Sequence, residues 1–131
     1  QEAENRAHVE AVIDFMELEA YRKQMVGSLS YGVQKRVEVA RALTLAPQMI
    51  LLDEPMAGMN IEEKEDMVRF ILDIKNEWDI TVVLVEHDLG VVMDISDQIY
   101  VLDFGEVIGS GQPAAVAANP KVIEAYIGEE N

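Results

Sequence analysis

Apolar positions follow two rhythms along this chain. From His8 to Ala20 they recur at Val9, Val12, Ile13, Met16 and Ala20, the three-to-four spacing of a helix. His8 stands at the edge of that stripe, where a surface histidine is expected. Tyr21 to Ser28 loses the pattern, carries Arg22 and Lys23 and contains Gly27, which predicts a linker. Leu29-Ser30-Tyr31-Gly32-Val33 then opens a helical stretch, Gln34 to Leu43, with Ser30 placed to cap it. The rhythm changes at Met49-Ile50-Leu51-Leu52, a solid apolar run of strand length. Asp53-Glu54-Pro55 must end that strand, because proline cannot donate to a sheet ladder. Asn60 starts another helix, and Glu63 completes a capping-box pattern. Met67, Phe70, Ile71, Ile74 and Trp78 form its apolar stripe, and Glu65 and Arg69 stand at i,i+4 on its surface.

Asp79 leads into a second buried run ending Val82-Val83-Leu84-Val85. Asp88 is placed to cap a short helix through Leu89, Val92 and Met93. Gln98–Leu102 and Val107–Ile108 predict two strands joined by a hairpin-like turn, Asp103-Phe104-Gly105-Glu106. Asn119-Pro120 predicts a last helix carrying Val122, Ile123, Tyr126 and Ile127 and stopping at Gly128, with Glu129 to Asn131 frayed. Strands interleaved with helices make this an α/β chain.

In an open α/β sheet, ligands bind at the carboxyl ends of the strands. The run from Met49 therefore sets Asp53, a Mg²⁺ partner, and Glu54, a candidate general base, where a nucleotide would sit. Neighbouring strand residues face opposite ways, so the strand end must bend at Pro55 for both carboxylates to serve one site. Ser30 and Gly32 at a helix start leave backbone N–H groups open to an anion. The 131 residues bound one domain or part of one, and half of them are apolar. A net charge of −15 disfavours nucleic acid as a partner. The chain has no cysteine, which excludes disulfides and thiolate metal sites. No apolar run approaches the roughly 18 residues of a spanning helix, and the start does not read as a signal peptide, so membrane association would come through a partner.

The order of these features resembles the ATP-binding subunit of ABC transporters. Leu29 to Val33 is similar to the family's L-S-G-G-Q signature, Met49 to Glu54 to its Walker B motif, Ala57 to Asn60 to its D-loop, and His87 to its switch histidine. Tyr31, Glu86-His87-Asp88 and the ending from Asn119 to Glu129 resemble the branched-chain amino-acid importers most. The resemblance implies a truncated P-loop NTPase fold. Residues 1–46 would be part of the helical subdomain, ending in the signature helix, and 47–131 the C-terminal part of the mostly parallel core sheet. It implies ATP and Mg²⁺ as cofactors, with Asp53 holding Mg²⁺ through water and Glu54 and His87 catalytic. Leu29, Ser30, Tyr31, Gly32, Gln34, Gly58 and Asn60 would bind nucleotide or line the dimer seam. The implied partners are a second ATP-binding subunit, head to tail, and transmembrane permease subunits, on the cytoplasmic face of the membrane.

The chain departs from the family pattern in two respects. It contains no G-x-x-x-x-G-K-S/T phosphate loop, and Val33 stands where the signature has glutamine, with Gln34 next. The resemblance places the Q-loop glutamine upstream of residue 1. The expectation is the C-terminal half of a longer ATPase, inactive alone and prone to self-association through open sheet edges. Three alternatives stand beside it. An SMC-type ATPase half would have a coiled coil before the signature and a basic surface. A lipopolysaccharide-export ATPase has a similar ending. A degenerate binding module would keep the fold without catalysis, and only Val33 leans that way.

Overall fold

The computed structural model describes residues 1–130, with side chains through residue 126. It is an α/β structure in two compact units, Gln1–Val85 and a second that begins at Glu86. In the first, α1 (Glu2–Phe15), two short 3₁₀ turns and α2 (Tyr31–Leu43) precede β1 (Met49–Asp53), α3 (Ile61–Glu77) and β2 (Thr81–Val85). β1 and β2 pair in parallel, Met49 opposite Thr81 and Asp53 opposite Val85, with α3 as the crossover that parallel pairing requires. Met67, Phe70, Ile71 and Ile74 of α3 are buried with Val12 and Met16, with Val39 and Leu43 of α2, and with Ile50 of β1. The alternate sheet positions Met49, Leu51, Val83 and Val85 are exposed, so one sheet face is open in this chain.

The first helix departs from the expected His8–Ala20. It begins at Glu2 and ends at Phe15, because Glu17 takes a left-handed φ of 56°. Leu18 N–H donates to Ile13 O at 2.9 Å and Glu17 N–H to Asp14 O at 3.1 Å, the two bonds of a Schellman stop. Met16 and Leu18 stay apolar because they are buried, not because they are helical. The stop also redirects a surface pair. Arg69 does not pair with Glu65 but reaches Glu17 at 2.9 and 3.2 Å and Asp66 at 3.7 Å. The Arg69 guanidinium holds the Glu17 carboxyl below its ordinary range. A depressed carboxylate adds stability above its unfolded value and loses it as pH falls through the folded one. This exposed pair is worth at most about 1 kcal/mol. We expect Glu17→Gln to lower stability slightly at neutral pH, with the difference shrinking as the solution is acidified, measured by urea unfolding across an acid-to-neutral pH series.

His8 is not an unattached surface residue. Its Nε2 lies 2.9 Å from Leu43 O, and its ring lies 5.9 Å from Trp78, which also meets Phe15 at 4.8 Å. Trp78 is half-buried at the C-cap of α3, past the end of the stripe.

The second unit contains α4 (Leu89–Ile95), β3 (Ile99–Asp103), β4 (Glu106–Gly111), α5 (Pro113–Ala117) and α6 (Pro120–Glu130). Ile99, Val116 and Val122 form its core, with Val92, Met93, Val101 and Ile108 against them. β3 and β4 form the antiparallel hairpin, turned by Phe104 and Gly105 at φ 49° and 78°, the left-handed pair that a two-residue hairpin turn needs. β4 runs beyond Ile108 through two glycines, because its pairing with β3 holds it extended where side chains give no strand signal. Asp88 and Asn119 cap as expected, accepting from Val91 N–H at 3.3 Å and Lys121 N–H at 2.9 Å. α5 was not anticipated, since five residues are too few for a periodic pattern. α6 continues through Gly128 to Glu130 instead of stopping, because glycine keeps its N–H and costs a helix only about 1 kcal/mol. Of the expected frayed end, Glu129 and Glu130 are helical, and Asn131 lies outside the described residues.

Candidate nucleotide site

The carboxylate pair sits at the end of β1. Asp53 is the last residue of the ladder, and Glu54 N–H still donates to Val85 O at 2.8 Å. The chain then leaves the strand at Glu54 itself, whose φ is 46°, and not at Pro55. A left-handed residue breaks the strand alternation one position earlier than proline would, and both carboxylates are exposed there. Pro55, Met56 and Met59 are buried and anchor the loop that follows. Its bonds are Ala57 N–H to Glu54 O at 3.1 Å and Met59 N–H to Met56 O at 3.2 Å. Gly58 has φ 78°. Asn60 closes the loop with a full capping box: its Oδ1 accepts from Glu63 N–H at 2.8 Å, and Glu63 Oε1 accepts from Asn60 N–H at 3.3 Å.

The Leu29–Gln34 turn is built around its own backbone. Leu29 is buried, Ser30 Oγ accepts from Val33 N–H at 3.4 Å, and Ser30 O accepts from Gln34 N–H at 2.9 Å. Val33 is buried, so its apolar side chain belongs to the core. Gln34 Nε2 donates back to Leu29 O at 2.9 Å, holding the turn from within. Tyr31 is exposed, and a Cβ built on Gly58 would lie 3.4 Å from its ring, so this turn and the Gly58 loop are neighbours. Lys35 Nζ stands 5.5 Å from the Tyr31 ring centroid. The Glu38 carboxylate, with a smaller contribution from Tyr31, holds the Lys35 ammonium above its ordinary value.

Gly32 is buried, and a Cβ there would overlap Glu63 Oε2 and lie 2.8 Å from its Cδ. The capping role of Glu63 was legible locally, but its closure over Gly32 joins distant parts of the chain and left no signal. His87 is exposed in the second unit, between β2 and α4, with its N–H donating to Glu86 Oε1 at 3.1 Å. Among the described residues, no group of three or more His, Asp or Glu side chains could hold a metal ion by itself. One exposed strand-end carboxylate fits Mg²⁺ of the kind that keeps its waters and takes its remaining ligands from phosphate.

An ABC transporter family model matches residues 1–57, and a branched-chain amino acid ATP-binding cassette transporter model matches residues 106–131. The high-affinity branched-chain amino acid transport ATP-binding protein BraF of Pseudomonas aeruginosa is 39% identical over 117 residues, 89% of this chain and 46% of that protein. LivG of Escherichia coli, described in the same words, is 39% identical over 109 residues, 83% of this chain and 43% of LivG.

The chain belongs to the ABC transporter ATPases.

Solved cassettes agree with the ABC ATPase assignment. The ADP conformation of an ATP-binding cassette of an ABC transporter superposes with a TM-score of 0.85 at 34% identity, covering 95% of this chain and 50% of that one. A nucleotide-free cassette gives 0.82 at 32% identity, covering 95% and 51%. This ABC ATPase chain spans about half the length of the curated relatives it matches. No helix among its described residues is long and apolar enough to cross a membrane.

Proposed function

We propose that this chain carries the signature turn, Mg²⁺ partner and general base of an ATP-binding subunit that couples ATP hydrolysis to import of branched-chain amino acids. The observation that carries the reading is the end of β1. Asp53 and Glu54 stand exposed there, and a left-handed turn at Glu54 feeds the loop that lies against the signature turn. The match over residues 106–131 supports the branched-chain class. Residues 1–46 would belong to the helical subdomain and 47–131 to the ATPase core.

Phosphoryl transfer asks the protein for charge neutralisation and an oriented water. Asp53 would hold Mg²⁺, which supplies the neutralising charge when bound. Glu54 would accept the water's proton. His87 would help order that water. Leu29, Ser30, Tyr31, Gly32 and Gln34 would present the start of α2 to the γ-phosphate of ATP held by a second subunit. Gly58 and Asn60 would lie at the seam between the two. Permease subunits would hold the pair on the cytoplasmic face of the membrane.

The test compares this chain alone with the same chain joined to the N-terminal half of a branched-chain relative, assaying ATP turnover and light scattering. Turnover is expected only from the joined protein. The chain alone is expected to scatter as a dimer or larger, because Met49, Leu51, Val83 and Val85 leave one sheet face open. An inactive joined protein would sink the ATPase reading, and a clean monomer of the chain alone would sink self-association.

A further inference from the structure

The signature turn and the loop after β1 grip each other at two points, and each point sets a glycine of one against a side chain of the other. Tyr31 of the signature faces Gly58 of the loop. Glu63, in the first turn of α3, faces Gly32 of the signature. A Cβ on residue 32 would overlap Glu63 Oε2 and lie 2.8 Å from Cδ and 3.0 Å from Cγ. The other carboxylate oxygen, Oε1, is bonded to Asn60 N–H, the last residue of the loop. One half-buried carboxylate thus touches both motifs at once. Its charge also lies beside the first turn of α2, where helix N–H groups favour an anion.

Building on the ATPase reading above, we infer that Glu63 is a positioning residue that locks the signature turn to the D-loop, and that a side chain at residue 32 would push this carboxylate of the same chain off Asn60. A ligand that shifts the signature turn must carry Asn60 and the Gly58 loop with it, or break the Glu63 contact. A recess of about 160 Å³ beside the pair, bordered by Ser30, Arg36, Glu62 and Asp66, gives the side chain somewhere to go.

The test is a double-mutant cycle of Gly32→Ala and Glu63→Ala, with Glu63→Gln as the variant that keeps both the bulk and the cap acceptor. In the 131-residue chain, unfolding is followed through Trp78, the single tryptophan, which reports on the first unit. Gly32→Ala is expected to lower the midpoint in the parent and in the Glu63→Gln background, and to cost much less in the Glu63→Ala background. An equal cost in all three backgrounds overturns the contact.

In the joined protein, Gly32→Ala is expected to cut kcat by about tenfold or more, since a small misplacement of a binding group carries penalties of that order. Glu63→Ala is expected to lower kcat several-fold with KM for ATP unchanged, because Glu63 would not touch nucleotide. Glu63→Gln is expected to recover most of that loss. The double variant should turn over faster than Gly32→Ala alone. A double variant no better than Gly32→Ala would mean that nucleotide, not Glu63, excludes the Cβ, and would overturn the inference. So would an unchanged kcat in Glu63→Ala. A joined protein without any turnover would sink the ATPase reading and the positioning role with it, while the unfolding cycle still decides the contact.

Discussion

Glu54→Gln is expected to reduce ATP turnover of the joined protein by about 10²–10⁴-fold, the range for losing a positioned general base. That corresponds to about 3–5 kcal/mol of activation free energy. Glutamine keeps the shape of the side chain and the backbone N–H that donates to Val85 O. The strand end should therefore survive, and KM for ATP should stay within about twofold of the parent, since the lost interaction is one made in the transition state. The left-handed φ of Glu54 adds an expectation about stability. A non-glycine residue held there costs on the order of 1–3 kcal/mol. Glycine would relieve the strain and remove the carboxylate, so Glu54→Gly should fold and be as inactive as Glu54→Gln. Steady-state turnover together with urea unfolding checks both. Turnover within about threefold of the parent in Glu54→Gln would rule out a general base at this position.

Phe70→Ala should have the largest effect on stability, a loss of about 3–5 kcal/mol. Phe70 is 0% exposed in the middle of α3. Its ring is flanked by two guanidinium groups, Arg69 at 4.5 Å and Arg36 at 5.4 Å. Truncation leaves a cavity and removes the surface on which both cations rest. Against a typical total of about 5–15 kcal/mol, such a loss brings the first unit near the edge of folding. Trp78 fluorescence in a urea titration reads this unit, and far-ultraviolet circular dichroism reads the whole chain. A loss below about 1 kcal/mol would mean that the site collapses around alanine far better than a packed core should.

What the sequence disclosed was mostly local. Ser30, Asn60, Asp88 and Asn119 were legible as caps because each bonds a backbone N–H only two or three residues on. The strand at Met49 was legible because an apolar run met two carboxylates and a proline. The misplaced features were those that tertiary geometry decides. The first helix stops at Phe15 through a left-handed Glu17, a position where glycine would have announced itself. Arg69 had a carboxylate at the expected helical spacing and chose one 52 residues away. The turn after β1 falls on Glu54 because its N–H still bonds Val85 O, which no pattern within the strand encodes. Of the candidate site, the residue types could be named from their order, but the pairing of Tyr31 with Gly58 and of Gly32 with Glu63 required the fold.

The two strand pairs set different clocks for assembly. β3 and β4 meet across the two-residue turn at Phe104 and Gly105, so their hairpin can close on the scale of about 1–10 μs. β1 and β2 are parallel, and no turn can join them. Their ladder must wait for α3 to form and fold back, and non-local pairing of this kind slows the search. The carboxylate pair at the end of β1 is therefore among the last features to be fixed, and the second unit can be finished while β1 is still searching for its neighbour.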